Sequence, residues 1–181
     1  MFFNRKKYWF RVLLLVLIWS LLSLQEKSFA YNYSENINLP LLSEYGRYLY
    51  TADFKNRLLF ITIFQNNCEY CQEEVRDLNE LYNTPLLRKW YIFMGVDPYN
   101  SISTIKRFGN AYSADYPLYQ SSLSDVYSQL HVMFTPTSFI LLNGMVLGVF
   151  YGKHSYLSMK HALETIINQI LIQQNNRKVF R

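Results

Sequence analysis

Phe64-Gln65-Asn66-Asn67-Cys68-Glu69-Tyr70-Cys71-Gln72-Glu73-Glu74 is the stretch on which the reading turns, because it holds the only two cysteines of the chain, two residues apart. Just upstream lies Leu58-Leu59-Phe60-Ile61-Thr62-Ile63-Phe64, an apolar run that predicts a buried strand over 57–64. Just downstream, Val75, Leu78, Leu81 and Tyr82 recur at helical spacing, which predicts a helix over about 69–83. A C-x-x-C at a strand-to-helix turn places Cys68 at the helix N-terminus. There, unpaired N–H groups and the positive dipole end favour the thiolate, the reactive form of cysteine. A bridge between neighbours this close removes little unfolded-chain entropy and is a poor structural staple. The pair is therefore expected to cycle between dithiol and disulfide, with Asn66 or Asn67 available to cap the helix.

Two close cysteines can also form half of a zinc site. That reading needs two more ligands, and His131, His154 and His161 lack a second paired motif at zinc-finger spacing. No metal and no other cofactor is expected, and the histidines read as surface or packing residues.

The N-terminus speaks to location. Arg5, Lys6, Lys7 and Arg11 form a positive region, Val12 to Leu24 is thirteen residues without a charge, and Ser28-Phe29-Ala30 places small residues at the cleavage-defining positions. Residues 1–30 thus have the anatomy of a signal peptide cut after Ala30. The apolar run is short against the about 20 residues of a membrane-spanning helix. Left uncut, residues 12–24 would anchor the protein instead. In both cases the folded part is exported, to the periplasm or cell envelope, where thiols can be oxidised. The first 30 residues hold five of the 18 Lys and Arg and one of the 13 Asp and Glu. The remainder has 13 basic and 12 acidic residues, a net charge of +1. The high pI belongs largely to the targeting segment, so no nucleic-acid partner is inferred. Residues 31–181 suit one domain.

Within it, residues 31–56 read as an irregular, tyrosine-rich lead-in with a short strand near Tyr48-Leu49-Tyr50. After Pro85 and a helical turn comes a buried strand, Trp90 to Val96, ending at Asp97-Pro98. Ser101 or Ser103 can cap a helix running to about Tyr112, and a second helix covers 122–131. Strand Ser138–Leu142 meets Asn143-Gly144, a strong hairpin signal, and returns as Met145 to Tyr151. A terminal helix over about 155–174 buries Leu157, His161 or Ala162, Leu163, Ile166, Ile167 and Ile170. A β-α-β unit followed by a hairpin and a helix gives an α/β fold, with a mixed central sheet covered by helices on both faces.

Strand, C-x-x-C, helix, and then Thr135-Pro136 before the hairpin strand resemble the thioredoxin fold. More closely, the chain resembles the TlpA/ResA/DsbE-type periplasmic thiol-disulfide oxidoreductases, over roughly residues 45–172. The resemblance places a cis-proline at Pro136, beside the cysteines. The 64 residues between Cys71 and Pro136 exceed a minimal thioredoxin. They include an extra strand-helix insertion around Val96 to Leu130, where Tyr116-Pro117-Leu118 is similar to an element of exported relatives.

The resemblance implies exchange of disulfides with envelope proteins that carry thiols or disulfides, and a membrane redox partner. Cys68 would be the nucleophile and Cys71 the resolving thiol. Thr135 and Pro136 would present backbone to an extended substrate peptide. In the family, a carboxylate three residues after the second cysteine helps move its proton, and Glu74 stands there. One helical turn from Cys71, Glu74 can also act on residue chemistry alone: partial burial would raise its pKa and let it accept that proton. Glu69, Glu73 and Glu74 equally complement the helix dipole. The chain departs from the family pattern. Tyr70 replaces a frequent proline, only Phe64 remains of an aromatic stretch, and Thr62 stands where cytosolic thioredoxins carry a buried Asp. Redox direction, reduction as in cytochrome c maturation or oxidation, stays open. A different class of answer is a non-catalytic thioredoxin-like subunit or metal-handling chaperone of the envelope.

Overall fold

The computed structural model describes residues 36–179, with side chains to residue 176; the signal or anchor reading of residues 1–30 lies outside the described residues. Seven strands form one sheet: β1 Pro40–Ser43, β2 Tyr48–Tyr50, β3 Leu58–Ile63, β4 Tyr91–Asp97, β5 Leu118–Gln120, β6 Thr137–Leu142 and β7 Met145–Tyr151, in the order β2-β1-β5-β4-β3-β6-β7. Between them run α1 Glu69–Asn83, α2 Pro85–Trp90, α3 Ile102–Tyr112, α4 Leu123–Leu130 and the terminal α5 Tyr156–Val179. β3, β4 and β5 are parallel, and β1, β6 and β7 join antiparallel, so the sheet is mixed as expected.

All six residues of β3 are buried, because it lies between β4 and β6 under helices on both faces. Its period of two sorts them. Leu58 and Phe60 join a cluster with Val75, Leu78 and Leu81 of α1, Phe108 of α3, and Met159 and Leu163 of α5. Leu59, Ile61 and Ile63 join Leu39, Leu41, Val126 and Leu130 on the other face. The β6–β7 turn puts Asn143 at φ 52° and Gly144 at φ 79°, the left-handed pair that suits a tight hairpin.

Three readings need correction. The lead-in is not irregular: β1 pairs with both β2 and β5, and Leu39 and Leu41 are fully buried. Leu157 is largely exposed, because the buried stripe of α5 starts at Met159 and continues through Leu163 and Ile167, with Ile166 and Ile170 packed beside it. Ser101 stands at the N-cap of α3 but makes no side-chain cap bond; its hydroxyl pairs with those of Ser103 and Thr104. The insertion between β4 and β6 consists of α3, β5 and α4. Gly95 of β4 permits the insertion's close approach, since a Cβ there would meet Leu118 Cδ2 at 2.5 Å and Tyr116 Cε2 at 3.0 Å.

Candidate active site

The cysteine pair sits where β3 ends and α1 begins. Cys68 and Cys71 are joined in a disulfide, with their Cα atoms 5.2 Å apart. Cys68 itself is the N-cap of α1, not Asn66 or Asn67: its Sγ accepts the Cys71 backbone N–H at 3.1 Å. An N-cap side-chain atom satisfies one of the orphan donors of the first turn. Here that atom is the sulfur, so a thiolate at Cys68 would receive the same bond plus the dipole field. Cys68 is half-buried and Cys71 fully buried, which leaves one sulfur for an incoming partner and one behind it.

The Thr135-Pro136 peptide bond is cis and lies against the pair, with the Thr135 carbonyl oxygen 3.5 Å from Cys68 Sγ. Thr137 donates its hydroxyl to the Phe134 carbonyl, and Gly152 donates its backbone N–H to the Pro136 carbonyl. The second bond ties the segment to the residue after β7, while the Thr135 carbonyl faces Cys68. Exposed apolar side chains come from Tyr70, between the cysteines in sequence, and from the residues just before Thr135. Tyr70, Met133, Phe134 and Tyr151 are all exposed, Met133 by 73 %, and the Phe134 and Tyr151 rings lie 5.9 Å apart. Met133 and Phe134 carry no local sequence signal of their own; their place beside Thr135 is what brings them to this end of the sheet.

Glu74 is 1 % exposed. Its Oε1 accepts the His154 backbone N–H at 2.8 Å, and its Oε2 is buried without a partner. Burial drives its pKa up from 4.5 to about 7; the His154 N–H opposes this, Asp77 adds to it, and Lys153 pulls it back. Glu74 therefore does not merely complement the helix dipole from the surface. That description fits Glu69 and Glu73, which are exposed, with Glu73 also paired to Lys153. A buried carboxyl that titrates near neutrality, one turn from a buried thiol, is suited to exchange a proton with it. Tyr116 of the insertion is buried close by: burial raises its phenol pKa, and the Glu74 charge raises it further.

Thr62 occupies the position of the buried Asp in cytosolic thioredoxins, and its hydroxyl bonds the Ser138 hydroxyl at 2.7 Å, fully buried. This buried polar pair is neutral. Among the described residues no cluster of three His, Cys, Asp or Glu could hold a metal ion.

No family model and no curated protein matches the sequence. Solved structures do. A thiol:disulfide interchange protein from Bacteroides sp. superposes with a TM-score of 0.65 at 16% identity, covering 75% of this chain and 90% of that one. The chain has the thioredoxin fold. StoA from Bacillus subtilis matches with a TM-score of 0.59 at 16% identity, over 68% of this chain and 94% of that one. A secreted Mycobacterium tuberculosis disulfide oxidoreductase homologous to E. coli DsbE gives 0.61 at 10% identity, over 71% and 96%. Against this thioredoxin frame, the cis-proline and the C-x-x-C stand as the resemblance had implied.

Proposed function

We propose that the protein is a thiol-disulfide oxidoreductase acting on extended segments of exported proteins. The observation that carries this reading is the half-buried Cys68 sulfur. It caps α1 on one side and touches the Thr135 carbonyl on the other, with Cys71 buried behind it. Acting as reductant, the Cys68 thiolate attacks one sulfur of a client disulfide, forming a mixed disulfide and releasing the other client sulfur as a thiolate. Cys71 passes its proton to Glu74 and attacks Cys68 Sγ. The internal disulfide forms, the second client thiolate leaves, and two electrons have moved to the client. Run backward, the same steps oxidise a client dithiol. Thr135 offers backbone to the client strand, and the exposed apolar side chains of Met133, Phe134, Tyr70 and Tyr151 favour segments with large apolar side chains beside the cysteine. The signal-like or anchor-like pattern of residues 1–30 supports work in the envelope, where a membrane redox partner would reset the pair.

Cys71→Ala, with Cys68 intact, is the test. Nothing then resolves the first adduct, so envelope proteins should accumulate as mixed disulfides that dithiothreitol releases. Trapping by Cys68→Ala instead would reverse the two roles. Trapping by neither would favour a non-catalytic subunit.

A further inference from the structure

Gly152-Lys153-His154, in the loop between β7 and α5, takes no part in the exchange steps above, yet it is bonded to both halves of the site. Gly152 donates its N–H to the carbonyl of the cis-proline Pro136 at 2.9 Å. Lys153 Nζ pairs with Glu73 Oε2 on α1. His154 donates its backbone N–H to Glu74 Oε1 at 2.8 Å. Its ring turns back, with Nε2 3.2 Å from the Tyr151 carbonyl oxygen and its edge toward Phe150. The loop takes this path through a left-handed Gly152, at φ 77°. A Cβ there would have nothing within 4 Å, so the backbone conformation and not space calls for glycine.

The bond from His154 leaves the two oxygens of Glu74 unequal. Oε1 has a donor, and Oε2 is buried with none. A carbonyl oxygen is the better acceptor, so a neutral Glu74 keeps Oε1 under the N–H and carries its hydrogen on Oε2. We propose that the Gly152–His154 loop is a positioning element for the proton acceptor, holding Oε1 so that Oε2 takes the proton of the Cys71 thiol. In that step the Cys71 S–H bond breaks, its electron pair stays on sulfur, and an O–H bond forms at Oε2. The bond to Oε1 has a second effect. A hydrogen bond to a carboxylate favours the charged form, so the same N–H lets a dry carboxyl give the proton up again. Were the loop only a cover, its effect would be the reverse, since keeping water off a carboxylate raises its pKa. Positioning and covering therefore have opposite signs at Glu74, and this separates them.

This inference rests on Glu74 taking the Cys71 proton, but its test needs no turnover. In the oxidised full-length protein, with carbon-13 in the glutamate side-chain carboxyls, the resonance missing from Glu74→Gln is followed against pH. The charged and titratable groups on the elements around Glu74 are Glu73, Arg76 and Asp77 on α1, Lys153 and the His154 ring on the loop, and Tyr116 of the insertion. All are retained in the Gly152 variants. Gly152→Val cannot hold the left-handed turn and should lose the His154 bond. The Glu74 midpoint should then rise by about half to one pH unit, or about a three- to tenfold loss of carboxylate near neutral pH. Gly152→Asn, which tolerates positive φ, should keep the midpoint of the unaltered protein. A lowered midpoint in Gly152→Val would make the loop a water-excluding cover and overturn the proposal, and so would equal shifts in the two variants. Unchanged midpoints with a lower melting temperature would reduce the loop to structural support, also overturning it. Should Gly152→Val fail to fold, Glu73→Gln decides. Freeing Lys153 loosens the loop and should raise the midpoint, whereas loss of the neighbouring negative charge alone lowers it; an unchanged or lowered midpoint overturns the proposal. Absence of disulfide exchange by the unaltered protein would sink the oxidoreductase reading while leaving the Glu74 midpoint measurable, so the two failures are distinguishable.

Discussion

On the face of the sheet that carries α1, α3 and α5, the core is rich in rings: Phe60, Phe64, Tyr91, Phe93, Phe108 and Tyr116, with Phe60 and Phe93 centred 5.4 Å apart and Phe64 and Phe108 4.7 Å apart. On the other face it is aliphatic but for Phe139, with Leu39, Leu41, Leu59, Ile61, Ile63, Val96, Val126, Leu130 and Leu141. The ring-lined face also contains Cys71, and Glu74 on α1 is buried beside that helix's apolar stripe. The two faces share one sheet, and the ring-lined one holds the buried Glu74, whose pKa burial raises to about 7. Proton exchange needs a dry carboxyl whose charge is costly, and that group lowers stability where it sits. The aliphatic face contributes burial alone, at about 1.5–3 kcal/mol for each large side chain. If Glu74 exchanges the proton, the chemistry is confined to the ring-lined face, while both faces contribute burial.

That division can be tested by substitution, one face at a time. The largest effect belongs to Glu74→Gln on the ring-lined face. If Glu74 takes the Cys71 proton, disulfide exchange near neutral pH should slow by about 10²–10⁴, because the amide keeps the shape without the basicity. A pH–rate profile identical to that of the unaltered protein would remove Glu74 from the mechanism. On the aliphatic face, Ile61→Ala should cost about 2–5 kcal/mol of stability in urea unfolding and leave the exchange rate of the folded protein unaltered; a matching loss of rate would show that the faces are coupled.

Glu74 also makes a stability prediction whose sign follows from its pKa of about 7 against 4.5. Below the lower value both folded and unfolded chains carry the proton, and there is no penalty. Between the two the folded state holds more protons, so stability falls as pH rises, reaching a loss of about 3 kcal/mol above the upper value. Glu74→Gln should flatten that window and be the more stable protein at pH 8. Parallel stability curves from pH 4 to 8 would contradict this. The smallest effect is expected at Thr62→Val, which strands the buried Ser138 hydroxyl now 2.7 Å away. The cost should be about 1–3 kcal/mol, with little change in rate, since that pair is neutral.

How much of this was readable from the chain depended on whether the signal was local. β3, α1 and the Asn143-Gly144 hairpin follow from periodicity and turn chemistry within a few residues, and the structure bears them out. β1 was missed because it is four residues long, begins at Pro40, and gains its place only by pairing with the distant β5. Cys68 took the capping role from Asn66 and Asn67 because the helix starts at Glu69, directly after it. The burial of Glu74 did have a signal: it lies beside Val75 and one turn from Leu78 and Cys71, on the stripe that faces the sheet. The degree of burial did not, since it depends on the His154 loop closing over it from the far end of the chain.

The central claim is that Cys68 and Cys71 are a working redox couple, and its most direct measurement is the equilibrium of the folded protein with defined ratios of reduced to oxidised glutathione. The account expects a single two-electron transition with a potential between about −270 and −120 mV, the span from thioredoxin to strongly oxidising disulfide donors. A potential below about −300 mV, where structural disulfides resist reduction, would contradict it.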